Sequence, residues 1–247
     1  MDETRNTPAL VLNRRSYREY DSLVTVFTLH SGKLNLLARG TKKTQSKLAG
    51  HIEPLTLADI LIVRGKGHDY IASAITRDAY PEIRNDLNKL YYAGRALNIF
   101  SRLVKDGQAD KNLFFLLADW LSSLDKLPPA PPELAPEKGE LLLAFFILKL
   151  LLGLGYKPEM KNCLRCGRPI KPGGNYFDLK NGGLVDSHCG AAERPEADYQ
   201  VNNFLTISDD CVKLIRYLLN NNNWSIKASP AVIKEISKII SSFITFI

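Results

Sequence analysis

Five short runs of alternating apolar and polar residues occupy the N-terminal third of the chain and constrain its fold most strongly. They are rich in β-branched side chains and cover residues 9–13, 23–29, 33–39, 55–63 and 70–76. A period of two predicts β-strands. Ser31-Gly32 separates the second run from the third, and Gly65 and Gly67 lie between the fourth and the fifth. These residues predict two tight hairpins.

The strand count and the long connection between the third and fourth runs indicate a small β-barrel. A five-stranded oligonucleotide-binding barrel, the OB-fold, has this count, and its third-to-fourth connection is its longest. An SH3-like barrel has a similar count, so counting strands leaves both folds open.

From residue 83 onward the apolar period becomes helical. The predicted helices cover residues 83–103, 111–127, 140–154 and 208–219, and a last helix starts at Ser229-Pro230. Residues 128–139 form a proline-rich segment that predicts an extended linker, and residues 220–223 predict a turn. We therefore predict an α+β protein with an N-terminal five-stranded barrel domain, a helical domain in two parts, and an inserted zinc-ribbon-like hairpin. The predicted limits are 1–80 for the barrel, 81–156 and 201–247 for the helical domain, and 157–200 for the insert.

The insert carries a pattern typical of zinc ribbons. Cys163 and Cys166 form a Cys-x-x-Cys pair, the form of a zinc knuckle. For the second pair the sequence offers Cys189, with Asp186 three residues before it and His188 beside it. Since carboxylate and imidazole both bind zinc, we expect one structural ion on three thiolates and one of these two side chains. The alternative is a hairpin that has lost one ligand and holds zinc weakly or not at all.

Catalytic motifs do not accompany these cysteines. A zinc deaminase has proline before its Cys-x-x-Cys pair, and Asn162 stands there. No Walker loop, dinucleotide fingerprint or nucleophile elbow occurs, so we expect no enzyme. Cys211 lies on the apolar face of a predicted helix and is expected in the core. The longest apolar run, residues 141–154, contains Lys149 and is shorter than the roughly 20 residues that span a bilayer. We expect a cytoplasmic protein without a membrane partner.

Basic side chains concentrate around the predicted barrel loops. The chain carries 33 Lys and Arg against 26 Asp and Glu, a net charge of +7, which permits a polyanionic partner without requiring one. The cations expected to contact nucleic acid are Arg14, Arg15, Arg39, Lys42, Lys43, Lys47, Arg64 and Lys66. Tyr70 is the better candidate for base stacking, whereas Phe27 alternates with polar Thr25 and is expected in the core.

The alternative to a binding surface is a solvated charged loop, the usual interpretation of a lysine-rich segment. A second basic group on the insert weakens that alternative. It consists of Lys157, Lys161, Arg165, Arg168, Lys171 and Lys180.

Several strings together resemble the RecO family of bacterial recombination mediators. They are YREYD at residues 17–21, VFTLHSGKLNLLARGTKKTQSKLAGHIEPL at 26–55, LLGLGYKPEMKNCLRCG at 151–167, and NGGLV at 181–185 before a cysteine. The resemblance extends over residues 9–217, which is most of the chain.

The resemblance implies an OB-fold, a helical domain and a zinc ribbon set into it. It implies binding of single- and double-stranded DNA, annealing of complementary strands, and help in loading RecA onto strands coated by single-strand-binding protein. The implied partners are RecR and the acidic C-terminal tail of single-strand-binding protein, for which Lys89, Arg95 or Arg102 are candidate contacts.

Many members carry four ribbon cysteines. Here Cys163, Cys166 and Cys189 match, and Asp186 takes the remaining place. Two other classes of function stay open: an adaptor that bridges proteins without touching DNA, and an RNA-binding barrel of the translation apparatus.

Overall fold

A computed structural model describes residues 4–128, 135–192, 203–221 and 227–247. The chain divides into two units, Met1–Pro129 and Ala130–Ile247. The first unit combines the barrel with the helices that follow it, and the second contains the cysteine ribbon and the later helices. The finer domain limits predicted from the sequence stay predictions.

Five strands of the first unit form a closed barrel. They are β1 (Thr4–Tyr17), β2 (Asp21–Thr28), β3 (Gly32–Ala38), β4 (Thr56–Val63) and β5 (Tyr70–Asp78). Their order is β1-β2-β3-β5-β4, and β1 pairs antiparallel with both β2 and β4. β3 and β5 meet in parallel, with Leu37 opposite Tyr70. This topology confirms the predicted strands and the OB-fold.

The barrel is filled by the alternate, inward-facing residues of its strands. Val24, Leu36 and Ile60 are among the fully or almost fully buried members of this core. Leu48 and Ile52, from the β3–β4 connection, also pack into it. The connection contains a short 3₁₀ turn (Ala49–His51), and its two apolar side chains anchor a segment that is otherwise polar.

Three helices complete the described part of the first unit: α1 (Pro81–Arg84), α2 (Leu87–Leu103) and α3 (Lys111–Lys126). The prediction of one continuous helix from residue 83 was wrong, because Asp86 starts a new helix. Its carboxylate accepts hydrogen bonds from the backbone N–H groups of Asn88 and Lys89 and caps α2.

The β2–β3 hairpin ties the barrel to these helices. Lys33 Nζ donates to the carbonyls of Ser101 and Val104, both at 2.7 Å, at the C-terminal end of α2. Gly32 has φ +68°, and a Cβ there would lie 2.2 Å from the carbonyl oxygen of Gln108. Phe27 is fully buried as predicted, with its ring 4.8 Å from that of Phe100.

The second unit contains a long apolar helix, a small sheet and three further helices in its described residues. Its elements are α4 (Ala135–Gly153), β6 (Tyr176–Asp178), β7 (Gly183–Val185), α5 (Ser187–Ala192), β8 (Phe204–Thr206), α6 (Asp209–Asn220) and α7 (Pro230–Phe243). The sheet order is β7-β6-β8, and α4 packs against α6 and α7. Ser208 accepts a hydrogen bond from Cys211 N and caps α6, and Cys211 is fully buried as predicted.

The structure differs from the sequence prediction at the end of the proline-rich linker. Residues 135–139 are helical instead of extended, because proline is tolerated in the first turn of a helix, where its missing N–H has no partner to lose. Residues 129–134 of the linker and 222–223 of the predicted turn lie outside the described residues. In the described ranges, the helices are too short or too polar to cross a membrane.

Candidate nucleic-acid interface and metal centre

Three segments meet at one end of the barrel. They are residues 17–21 between β1 and β2, residues 39–43 after β3, and residues 64–70 leading into β5. Lys42 N donates to Tyr20 O at 3.0 Å, which joins the second segment to the first. Leu37 N, in β3, donates to Asp69 O at 2.9 Å, which joins the third segment to the strand that precedes the second. We call this end the barrel-loop surface. The β2–β3 hairpin, at the other end, contacts the end of α2.

Each of three tyrosines on the barrel-loop surface has a cation over its ring. Arg39 lies 4.9 Å from the Tyr70 centroid and Arg18 lies 5.2 Å from the Tyr17 centroid. Lys43 Nζ lies 5.6 Å from the ring centre of Tyr20. Separations within about 6 Å allow a cation–π attraction. The three pairs therefore hold flat aromatic faces and positive charges side by side.

Further contacts make the surface continuous. The Tyr17 ring meets His68 edge-on at 6.4 Å, which joins the first segment to the third. Lys42 Nζ donates to Arg18 O at 3.2 Å, which joins the second segment to the first. The third segment also carries Arg64 and Lys66, both exposed.

Two acidic side chains of the barrel-loop surface are occupied by contacts within the protein. Asp21 accepts the N–H of Gly40 at 2.9 Å. Asp69 accepts the N–H of Gly65 and pairs with Arg5, both at 3.3 Å. These carboxylates hold the loops in place, and the exposed cations remain in excess.

The structure brings together most of the residues predicted to contact nucleic acid. Of the predicted residues, the barrel-loop surface contains Arg39, Lys42, Lys43, Arg64, Lys66 and Tyr70. Arg15 and Lys47 are exposed but lie outside its three segments. Sequence reasoning missed Arg18 and undervalued Tyr17 and Tyr20. The alternation of aromatic and charged residues in YREYD was the signal that could have found them.

Arg14 has a different environment from the exposed one that the sequence suggested. Its side chain is only 15% exposed and forms an ion pair with Glu53. The guanidinium also donates to Ser22 Oγ at 3.2 Å, to Ala49 O at 3.1 Å and to Thr41 O at 3.4 Å. The guanidinium of Arg14 is thus occupied by contacts within the protein.

One candidate contact for an acidic peptide is likewise occupied. Lys89 is 7% exposed, and its Nζ donates to Asp125 O at 2.9 Å and Leu127 O at 2.7 Å, at the end of α3. Arg102 is exposed, and Arg95 lies 5.5 Å from the ring of Tyr91.

Four side chains of the second unit form a candidate metal centre. The ligand atoms of Cys163, Cys166, Asp186 and Cys189 all lie within 4.8 Å of one another. A tetrahedral zinc ion with bonds of about 2.3 Å to sulfur places its sulfur ligands about 3.8 Å apart, so these side chains fit such an ion. His188 is exposed and does not belong to this group of described residues.

Local backbone geometry explains why the group assembles. The knuckle turn closes with a hydrogen bond from Gly167 N to Cys163 O at 2.9 Å, and Gly167 adopts φ +70°. The sulfur of Cys163 accepts N–H groups from Arg165 at 3.5 Å and Asp186 at 3.4 Å. Asp186 directly follows β7, so the β6–β7 hairpin carries it to the knuckle.

The surroundings of the group lower the pKa of two of its members and raise the pKa of a third. Arg168 Nε donates to Cys166 Sγ at 3.3 Å, and this lowers the pKa of that thiol. The N–H of Cys189 donates to Asp186 Oδ1 at 2.8 Å, and this holds the pKa of the carboxyl well below its usual range. Desolvation raises the pKa of the Cys189 thiol to about 12. A metal ion would displace that proton, because zinc binds the thiolate form.

Part of the basic group on the ribbon is structural. Arg165 pairs with buried Asp178 at 3.0 Å, and Arg168 donates to the Cys166 thiol. The remaining members of that group, Lys157, Lys161, Lys171 and Lys180, are exposed lysines.

In the comparison with known proteins, both units match descriptions of the same protein family. The family description "Recombination protein O N terminal" matches residues 1–80, and "Recombination protein O C terminal" matches residues 84–246. Several relatives are named DNA repair protein RecO. The protein of Dehalococcoides mccartyi is 28% identical over 244 residues, 98% of this chain and 89% of the relative. That of Alkaliphilus metalliredigens is 28% identical over 242 residues, 96% and 91% of the two chains. That of Syntrophomonas wolfei is 30% identical over 210 residues, 85% and 76%.

Proposed function

The chain belongs to the recombination protein O family, and from that premise we propose that it is a DNA-binding mediator of recombination and repair, not an enzyme. In this proposal it binds single- and double-stranded DNA and anneals complementary strands. It also helps RecA to load onto strands coated by single-strand-binding protein, with RecR and the tail of that protein as partners. It acts in the cytoplasm, at the nucleoid.

The observation that carries the proposal is the barrel-loop surface. Three tyrosine rings, each with a cation within 6 Å, lie among loops that an OB-fold uses to bind oligonucleotides. Bases of a single strand stack on aromatic faces, and their phosphates pair with neighbouring cations. A duplex hides its base faces, so it engages the cations alone.

Annealing on such a surface needs no acid or base. Two complementary strands repel each other through their phosphates, and a cationic surface that holds one or both lowers this repulsion and raises their local concentration. Stacking on Tyr17, Tyr20 and Tyr70 keeps the bases of the bound strand unpaired until the second strand arrives.

The metal centre supports a structural role. When zinc is bound, it would cross-link the knuckle to the segment after β7 through Cys163, Cys166, Asp186 and Cys189. Four protein ligands leave no open coordination position for a substrate. The role of these four side chains is therefore to hold the ribbon in shape.

Strand annealing by the purified full chain tests the proposal. Replacing Lys42, Lys43 and Lys47 together by glutamine should slow the annealing of complementary oligonucleotides at least about tenfold at low salt. The matched control replaces Lys105, Lys111 and Lys126, three exposed lysines of the helical part, and makes the same change in charge. The control should anneal like the unmodified protein. Equal annealing by both variants, or none by the unmodified protein, would refute the proposal.

The adaptor and the RNA-binding barrel are distinguished by competition. Unlabelled single-stranded DNA should displace a labelled DNA strand at lower concentration than RNA of the same sequence does. Stronger competition by RNA would favour the RNA-binding barrel. Absence of binding to either, with retained binding to the single-strand-binding protein tail, would favour the adaptor.

A further inference from the structure

We infer that Arg14 is a positioning residue, which closes the base of the lysine-bearing segment between β3 and β4 and holds it in the shape that meets a nucleic acid strand. This goes beyond the proposed function, and it rests on that function only for the affinity it predicts. The closure itself is a property of the folded chain.

The contacts of Arg14 lie at both ends of that segment. At the start, its Nη2 donates to Thr41 O at 3.4 Å. At the far end, its Nη1 donates to Ala49 O at 3.1 Å and to the carboxylate of Glu53. One planar guanidinium therefore joins positions that are eight and twelve residues apart in sequence.

A second layer of hydrogen bonds fixes the guanidinium. Its Nε donates to Ser22 Oγ at 3.2 Å, and Ser22 Oγ lies 2.7 Å from Thr41 Oγ1. Ser22 is 2% exposed and Thr41 is 3% exposed. The start of the segment is thus held twice, through the Thr41 carbonyl and through the Thr41 hydroxyl.

Closing these ends limits the freedom of residues 42–48, which carry Lys42, Lys43 and Lys47. A loop whose ends are fixed has less conformational entropy to lose when its lysines contact phosphates. The positive charge of Arg14 is already paired with Glu53, and only 15% of the side chain is exposed. Arg14 is therefore suited to order the neighbouring cations and unsuited to contact a phosphate.

Limited proteolysis with trypsin tests the closure without DNA. Arg14→Gln and Glu53→Gln should each raise the rate of cleavage after Lys42, Lys43 and Lys47, by about tenfold or more for Arg14→Gln. Arg15→Gln is the matched control, since it removes the adjacent, exposed arginine and should leave these rates unchanged. Thermal melting identifies a variant that has lost its fold, in which case the other variant decides. Unchanged cleavage in the folded variants would overturn the inference.

The affinity for single-stranded oligonucleotides distinguishes a positioning role of Arg14 from a purely electrostatic one. The two roles predict opposite changes in the affinity of the Glu53→Gln variant. Glu53→Gln removes a negative charge from a basic region, so electrostatics alone would strengthen binding. A positioning role predicts instead that binding weakens several-fold, with the slope of log affinity against log salt retained. The comparison variant Glu19→Gln removes a negative charge without breaking the closure and should not weaken binding.

Stronger binding by Glu53→Gln would overturn the inference. So would a slope of log affinity against log salt that is shallower by about 0.7 in Arg14→Gln, because it would identify Arg14 as a phosphate contact. If the unmodified protein bound no DNA, the proposed function would fail, while the trypsin result would still decide the closure.

Discussion

Tyr70 offers the sharpest test of stacking at the barrel-loop surface. Tyr70 is the last residue of the third loop segment. Its side chain is partly exposed, and the guanidinium of Arg39 lies 4.9 Å from the centre of its ring. Replacing it by alanine removes one aromatic face and the partner of one cation. Tyr70→Phe keeps the aromatic ring and removes only the hydroxyl, so it serves as the reference.

The expected loss follows from the number of bases that one ring holds. Stacking contributes about 1–3 kcal/mol per base, which corresponds to roughly 5- to 150-fold in affinity. We expect Tyr70→Ala to weaken binding of a single-stranded oligonucleotide within this range and Tyr70→Phe to weaken it less than about threefold. The slope against salt should not change, because no phosphate contact is removed.

Fluorescence anisotropy with a labelled single strand and a labelled duplex measures these losses. Tyr91→Ala is the matched control, because Tyr91 on α2 also lies under an arginine, at 5.5 Å, and is 57% exposed. The duplex should lose less affinity than the single strand. Equal losses for both DNA forms, equal losses in Tyr70→Ala and Tyr91→Ala, or no loss at all would refute the stacking argument.

The other predictions concern the barrel–helix contact and the metal centre. Lys33→Met should lower the free energy of unfolding by about 2–3 kcal/mol in urea titration, since two carbonyls lose a charged donor. Asp106 pairs with Lys33 Nζ at 3.0 Å, but its carboxylate is 66% exposed, so Asp106→Asn should change the free energy by less than about 0.5 kcal/mol. Gly32→Ala should destabilise by at least about 2 kcal/mol, from its left-handed backbone and the clash with a carbonyl oxygen. Asp186→Ala should weaken zinc binding in a chelator competition by more than about tenfold, while His188→Ala should leave it unchanged. Comparable stability in the Lys33 and Asp106 variants, a stable Gly32 variant, or equal zinc affinity in the last two would contradict these predictions.

Local patterns were sufficient to predict most of the fold. The period of two located all five strands, because each strand buries one face in the barrel and the alternation records that burial directly. Ser208 and the two acids after it marked the start of α6. The division between α1 and α2 was missed, although Asp86 is an ordinary capping residue, because the apolar pattern continues across it.

The candidate metal centre was predictable because its residues come in short, recognisable spacings. The choice between Asp186 and His188 was not, since it depends on which side chain the hairpin turns toward the knuckle. In the structure Asp186 is held by the N–H of Cys189, which fixes its second oxygen near the thiols.

Contacts between side chains that are distant in sequence could not be predicted. Arg14 stands at the end of an alternating strand, where an exposed arginine is expected, and its ion-pair partner Glu53 lies 39 residues away. Arg18, Tyr17 and Tyr20 were undervalued for a related reason. Their relation to residues 39–43 and 64–70 exists only once the barrel has closed.

The salt dependence of single-strand binding tests the central claim most directly. Six cations belong to the barrel-loop surface: Arg18, Arg39, Lys42, Lys43, Arg64 and Lys66. With about −0.7 for each phosphate that is neutralised on a single strand, log affinity should fall against log salt with a slope near −4. In the double variant with glutamine at positions 42 and 43 the slope should be near −3. A slope close to zero, or the same slope in both proteins, would contradict the assignment of this surface to nucleic acid.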